Sequence, residues 1–125
     1  MEIHESSEDY LEAIIMIQEK QGYVRSVDIS DQLKVSKPSV TYATKKLKNA
    51  KLITMDKNGM IQFTKEGEKL AKSIYTRHKT LTEFFISMGV SKDQARIDAC
   101  KVEHDISEQT FNAIKKKLND NKRQF

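Results

Sequence analysis

The sequence predicts a mainly α protein, and three observations lead to that fold class. Apolar residues recur at intervals of three and four along much of the 125-residue chain, which is the period of an amphipathic helix. Ser and Thr, which favour helix N-termini, precede most of these segments. With one Pro and four Gly, the chain has too few turn residues for a many-stranded all-β design. A single short hairpin is the only β structure we expect.

The first two helices are predicted from capping residues and their stop signals. Ser6 is expected to be the N-cap of a helix that ends at Gly22, because glycine readily adopts the left-handed conformation that closes a helix. Ser26 is expected to be the N-cap of a shorter helix that runs through Leu33. The next two residues then form a tight turn.

The third helix follows this turn directly. Ser36 is its expected N-cap, and Pro38 lies in its first turn, where a missing N–H removes no helical hydrogen bond. Val40, Ala43 and Leu47 form a narrow apolar stripe, so most of the remaining side chains face outward. Two helices joined by so short a turn predict a helix–turn–helix.

A β-hairpin is predicted after the third helix. Residues 52–56 and 60–64 are strand candidates, and Asn58-Gly59 between them tolerates the positive φ angles of a tight turn. A hairpin in this position is the wing of a winged helix–turn–helix. We therefore predict such a DNA-binding domain, with a two-stranded wing, over residues 1–64.

The rest of the chain, residues 65–125, is predicted to be an all-helical module. Its helices are expected from Thr64 to about Met88, from Ser91 to about His104 and from Ser107 through Leu118, with a frayed tail over residues 119–125. No apolar run approaches the roughly 18 residues needed to span a bilayer, so no membrane partner is expected. A single cysteine cannot form an intrachain disulfide, and a cytoplasmic location is expected.

The charge distribution indicates two partners of opposite sign. Residues 1–12 hold five acidic residues and no Lys or Arg, whereas residues 37–57 hold six lysines against Asp56 alone. The basic segment includes the third helix, whose short polar side chains allow close approach to a DNA major groove. The predicted DNA-contacting residues are Ser26, Ser36, Lys37, Pro38, Ser39, Thr41, Tyr42, Lys45, Lys46 and Lys57. The alternative is an ordinary solvent-exposed lysine face.

Six side chains of metal-ligand type fall on three predicted helices. Cys100, Glu103 and His104 stand at i, i+3 and i+4, which places a thiol, a carboxylate and an imidazole on one helix face. The other three are Asp9 and Glu12 on the first helix and His78 on the apolar face of the long helix. Each also has an ordinary explanation, such as helix capping, a buried core histidine or a buried thiol.

The chain resembles the diphtheria-toxin-repressor family of metal-dependent transcriptional regulators, in particular its short manganese-transport-regulator branch. The resemblance is carried by residues 7–12 (SEDYLE), 27–41 (VDISDQLKVSKPSVT), 52–53 (LI), 63–67 (FTKEG), 77–78 (RH) and 98–107 (DACKVEHDIS). It implies a homodimer in which a divalent metal switches on binding to a palindromic double-stranded DNA operator. It also implies that the six residues above surround the metal.

The implied ligand set is a hybrid of two branches of the family. The manganese branch has a carboxylate at the position of Cys100, whereas the diphtheria-type branch has Cys there but Met at the position of Asp9. The ancillary site of the diphtheria-type branch is altered as well, with Thr82 and Arg96 at two ligand positions, and Glu83 is a partial substitute. Carboxylates suit Mn(II) and Fe(II), while a thiolate favours softer ions. We expect Mn(II) or Fe(II) as effector, with Zn(II) or Co(II) binding in vitro.

Two other functions are compatible with the residues alone. One is a metal-independent winged-helix regulator that responds to a small molecule or to oxidation of Cys100. The other is a small metal-dependent hydrolase, but the sequence contains no Gly-rich phosphate loop and no H-E-x-x-H helix. We therefore expect neither catalysis nor a small organic substrate.

Overall fold

The computed structural model describes residues 5–123, with side chains for residues 7–122. The first acidic residue, Glu2, and the last two residues of the predicted frayed tail lie outside the described part. The described elements are α1 (Glu5–Gln21), α2 (Ser26–Leu33), α3 (Lys37–Asn49), β1 (Ile53–Met55), β2 (Ile61–Phe63), α4 (Lys65–Ser87), α5 (Lys92–Val102) and α6 (Glu108–Arg123). The predicted mainly α class with one small sheet is confirmed.

Four of the six predicted N-caps are present. Ser36 accepts a hydrogen bond from the Ser39 amide at the start of α3, and Thr64 accepts one from Gly67 at the start of α4. Ser91 and Ser107 cap α5 and α6 in the same way, through the amides three residues later.

The predictions for Ser6 and Ser26 as N-caps are wrong. Ser6 lies inside α1, which already includes Glu5. At α2 the helix begins one residue earlier than predicted, with Arg25 as the N-cap, and the Asp28 carboxylate accepts the Arg25 backbone N–H at 2.9 Å. An acidic side chain in the first turn satisfies a backbone donor as well as a hydroxyl does.

Two predicted helix ends differ from the structure. Helix α5 ends at Val102, so His104 lies in the following turn and not on the helix. Helix α6 continues to Arg123, so residues 119–123 are helical and not frayed. A tertiary contact accompanies the longer α6, since the exposed Lys122 ammonium pairs with the Glu83 carboxylate of α4 at 2.9 Å, although a surface pair of this kind adds little stability.

The described residues divide into two compact units, residues 1–73 and 74–125, with the division inside α4. In the first unit, α1 packs against α2 and α3, and α3 packs against β1. Lys34, with φ of 55°, forms the left-handed turn between α2 and α3. Leu11, Ile29 and Leu47 are buried and provide part of the core. The first unit is therefore a helix–turn–helix followed by a hairpin.

The wing is a short antiparallel hairpin. Strand β1 pairs with β2 through Ile53 opposite Phe63 and Met55 opposite Ile61. The Asp56 carboxylate closes the turn by accepting backbone N–H groups of Asn58 and Met60, and Gly59 has the positive φ, at 80°. The predicted hairpin is confirmed, with strands shorter than expected.

The second unit consists of the C-terminal part of α4 together with α5 and α6. Its buried apolar side chains include Leu81, Ala95, Ala99, Phe111 and Leu118. The division into compact units falls between Ser73 and Ile74, whereas the boundary predicted from the sequence is at residues 64 and 65, so the functional boundary stays a prediction. Among the described helices, none is long and apolar enough to cross a membrane.

Candidate metal centre and nucleic-acid interface

Four of the predicted metal ligands come together within the second unit. His78 lies on α4 and Cys100 on α5, while Glu103 is the C-cap of α5 and His104 follows it in the turn. The Glu103 carboxylate lies 3.0 Å from His78 Nδ1 and 3.3 Å from His104 Nε2. Potential ligand atoms of Cys100, Glu103 and His104 all lie within 4.8 Å of one another. The cluster thus joins a thiol, a carboxylate and two imidazoles.

The carboxylate at the centre of this cluster is buried. Glu103 is 2% exposed, and the side chain of His104 is exposed to the same small extent. Burial of an ionised carboxylate is costly unless a positive charge or a metal ion compensates it. Imidazole, thiolate and carboxylate are also the ligand types that first-row divalent ions accept. The donor set and its burial therefore fit a divalent transition metal.

The remaining two predicted ligands lie on α1 in the first unit. Glu12 is 7% exposed and Asp9 is half-buried, and the two are three residues apart, which places them on the same helix face. Tyr10 between them is buried, and this burial raises the pKa of its hydroxyl. The participation of Asp9 and Glu12 in a common site with the second unit stays a prediction.

The predicted DNA-contacting side chains form the outer face of α3. Lys37, Pro38, Ser39, Thr41, Tyr42 and Lys45 are exposed, together with the N-cap Ser36 and the wing residue Lys57. Tyr42 is 68% exposed, and the Lys46 ammonium lies 5.4 Å from the centre of its ring. Lys46 and Ser26 are half-buried, and Ser26 is the first residue of α2. This face carries charge and hydroxyl groups with the apolar residues turned inward.

The residue that holds the turn after α5 is Arg77, whose role was not predicted from the sequence. Arg77 appeared there only as part of a motif, yet its guanidinium contacts the backbone of Glu103 and Ile106 and the carboxylate of Glu108. The available signal was its position directly before His78. No spacing rule reveals a long-range contact between a side chain and a backbone carbonyl 26 residues later.

Comparison with known protein families identifies both parts of the chain. Residues 2–61 match the N-terminal DNA-binding domain of the iron-dependent repressors, and residues 64–124 match the metal-binding and dimerisation domain of the same repressors. The chain belongs to the iron-dependent repressor family. It is 38% identical over 108 residues to the transcriptional regulator MntR of Escherichia coli O6:H1, covering 86% of this chain and 70% of that protein.

Other relatives agree with this assignment. The HTH-type transcriptional regulator MntR of Bacillus subtilis is 33% identical over 109 residues, which cover 87% of this chain and 77% of that regulator. The structure of the manganese regulator SloR superposes with a TM-score of 0.80 at 30% identity, covering 90% of this chain and 53% of that one. A manganese-dependent transcriptional repressor in complex with manganese gives a TM-score of 0.83 at 26% identity, with coverage of 90% and 52%. This chain thus spans about half of the length of these solved structures.

These matches confirm three predictions made from the sequence. The resemblance to this family and the winged helix–turn–helix fold are confirmed, as is the function of a metal-dependent transcriptional regulator. The alternative, a metal-independent regulator that responds to a small molecule or to Cys100 oxidation, is not favoured. The relatives named here are regulators of transcription.

Proposed function

We propose that this protein is a repressor of metal-uptake genes that binds a palindromic DNA operator as a homodimer when loaded with Mn(II) or Fe(II). The observation that carries the proposal is the buried Glu103 carboxylate, which contacts the imidazoles of both His78 and His104. These residues lie in the segment that matches a metal-binding and dimerisation domain. A DNA-binding match precedes it in the same chain.

The proposed ligand set combines both units. Within the second unit it comprises His78, Cys100, Glu103 and His104, and the resemblance to the family adds Asp9 and Glu12 of α1. A bound divalent cation would supply two positive charges against the three carboxylates. Because Asp9 and Glu12 belong to the DNA-binding unit, metal occupancy would then restrict where that unit sits. Restricting two recognition helices in a dimer favours the spacing of successive major grooves.

The donor atoms favour Mn(II) or Fe(II) as the physiological effector. Three carboxylates and two imidazoles form a hard, oxygen-rich set, which suits these two ions. The half-buried Cys100 adds a soft donor, which would raise affinity for Zn(II) and Co(II) in vitro. The E. coli and B. subtilis relatives share the name MntR, and the two solved structures cited above are described as manganese regulators, which supports the same choice.

The functions proposed for the N-terminal and C-terminal parts of the chain follow the two family matches. Residues 1–64 bind double-stranded DNA and contribute Asp9 and Glu12 to the metal site. Residues 65–125 supply the other four ligands and bind a second copy of the chain. A function on DNA would place the protein in the cytoplasm. The protein is proposed not to be an enzyme and to need no small organic substrate, because its relatives are regulators of transcription.

Metal activation is the first test. In a mobility-shift titration against a palindromic operator, Mn(II) or Fe(II) is expected to raise DNA affinity by about 5- to 150-fold, the usual range of allosteric coupling. A chelator should reverse the gain, and operator DNA should tighten metal binding by the same factor. An operator affinity that is the same with chelator and with each metal would refute the proposal.

The DNA interface is tested by salt dependence. Lys45→Gln and Lys57→Gln are each expected to reduce the magnitude of the slope of log affinity against log salt by about 1.8, because each homodimer loses two lysines and each lysine neutralises one phosphate. Affinity should fall equally on operator and unrelated DNA, since phosphate contacts carry no sequence information. Lys92→Gln on α5 is the matched control, an exposed lysine outside the proposed face. An unchanged slope in both variants would place the DNA on another surface.

A further inference from the structure

The turn between α5 and α6 carries two proposed metal ligands, Glu103 and His104, outside any helix. Backbone amides of this turn donate to carbonyls of α5, but carbonyl groups past the end of a helix have no helical donor and need another group to bind them. In this protein that group is the guanidinium of Arg77 on α4. Its Nη1 donates to the backbone carbonyls of Glu103 and Ile106, both at 3.1 Å.

The Arg77 side chain is itself held in one arrangement. Its Nη2 donates to the Glu108 carboxylate at 2.7 Å, and its guanidinium carbon lies 5.2 Å from the centre of the Phe111 ring. Only 18% of the side chain is exposed. A planar guanidinium with several donors in a fixed fork can contact three acceptors at once, which a lysine ammonium on a flexible stem reproduces poorly.

Two consecutive residues of α4 therefore contact the same residue of the turn at its two ends. Arg77 donates to the Glu103 backbone carbonyl, while His78 Nδ1 contacts the Glu103 carboxylate at 3.0 Å. Contacts with one turn of α4 therefore fix both the backbone and the side chain of Glu103. His104, the next residue in the chain, is placed by the same backbone.

We propose that Arg77 is a positioning residue for the metal centre, which fixes the turn of residues 103–106 so that Glu103 and His104 keep the geometry of ligands. This inference rests on the proposed function and extends it to a residue that contacts no metal itself. Residues that orient metal ligands typically change metal affinity by about 10- to 100-fold when they are replaced. Loss of Arg77 should act in the same range.

The experiment measures Mn(II) affinity of the full chain by isothermal titration calorimetry. Arg77→Gln is expected to weaken Mn(II) binding by about 10- to 100-fold. Arg77→Lys should lose less, because it keeps the positive charge near Glu108 and can reach one carbonyl. Glu108→Gln retains both carbonyl contacts and removes only an exposed ion pair, so it should change affinity by less than about fivefold. Arg96→Gln, which breaks the exposed pair with Asp93 on α5, is the matched control.

A spectroscopic readout separates ligand geometry from general stability. The visible absorption of the Co(II)-loaded protein reports the geometry of the ligands, and it should shift in Arg77→Gln but not in Glu108→Gln or Arg96→Gln. Thermal unfolding of each variant with chelator present gives the stability without metal. If both Arg77 variants are unfolded under those conditions, Arg77 serves the fold and the inference is overturned.

The remaining outcomes also decide the matter. Wild-type affinity and an unshifted Co(II) spectrum in Arg77→Gln would overturn the inference and leave the proposed function intact. Equal weakening in Arg77→Gln and Arg96→Gln would overturn it too, since it would show a general effect of lost surface charge. Failure of the wild-type chain to bind Mn(II) would overturn the proposed function, and the inference with it.

Discussion

Glu103→Gln is expected to lower Mn(II) affinity by more than about 100-fold, beyond the range seen for residues that only orient ligands. The Glu103 carboxylate is buried and contacts both His78 and His104, so it is the centre of the proposed ligand set. An amide of the same shape keeps the hydrogen-bonding capacity but removes the negative charge that a cation needs. Operator affinity should therefore no longer respond to Mn(II). Calorimetry and a mobility-shift titration measure the two effects.

The stability of the metal-free protein distinguishes a ligand from a structural residue. The glutamine amide keeps hydrogen-bonding capacity toward both imidazoles and removes the desolvation cost of a buried carboxylate, so we expect little change in stability. Glu103→Gln with chelator present should therefore melt within a few degrees of the wild type. Asp93→Asn is the control, an exposed carboxylate on α5 that pairs with Arg96. If Glu103→Gln still binds Mn(II) as tightly as the control does, Glu103 is not a ligand.

Local rules predicted most elements because the signals are short-range. A hydroxyl that caps a helix acts over three residues, as Ser36 and Thr64 do, and the stripe of Val40 and Leu47 that faces the core follows from the helical period. The Asn58-Gly59 turn is equally local. The wing and the helix–turn–helix could therefore be predicted without information from distant parts of the chain.

The failures arise where two signals compete or where the cause is distant. At α2 the Asp28 carboxylate and the Ser26 hydroxyl were both available as capping groups, and the sequence does not rank them. The extended part of α6 includes Lys122, which pairs with Glu83, a residue 39 positions earlier in the chain. The sequence around Lys122 and around Glu83 gives no indication that the two residues pair.

The candidate site shows the same limit. Spacing placed Cys100, Glu103 and His104 on one continuous helix face, but α5 ends at Val102 and the last two occupy its cap and the turn. Their ligand atoms nevertheless lie together, because Glu103 keeps right-handed helical dihedral angles, with φ of −57° and ψ of −27°. Arg77, which secures that turn through backbone carbonyls, has no equivalent signal in the sequence.

The second large effect, a loss of stability, is expected where α4 approaches the wing closely. Gly67 is buried in the first turn of α4, and a Cβ at this position would overlap the backbone carbonyl of Leu52. That carbonyl also accepts the Thr64 amide at 3.0 Å, and the Thr64 hydroxyl donates to the Lys51 carbonyl at 2.8 Å. The start of α4 and the start of β1 are therefore tied together, and no flexible side chain is present to move aside.

Gly67→Ala is accordingly expected to lower the free energy of unfolding by about 3 kcal/mol, at the upper end of the cost of overpacking. The melting temperature should fall by about 10 °C, as followed by circular dichroism. Lys69→Ala, an exposed change in the same helix, should stay within about 0.5 kcal/mol. Because alanine favours helix over glycine, a purely local effect would stabilise α4. If Gly67→Ala is as stable as the Lys69→Ala control, the backbone near Leu52 can move without loss of stability. The contact between Leu52 and α4 would then not hold the hairpin in place.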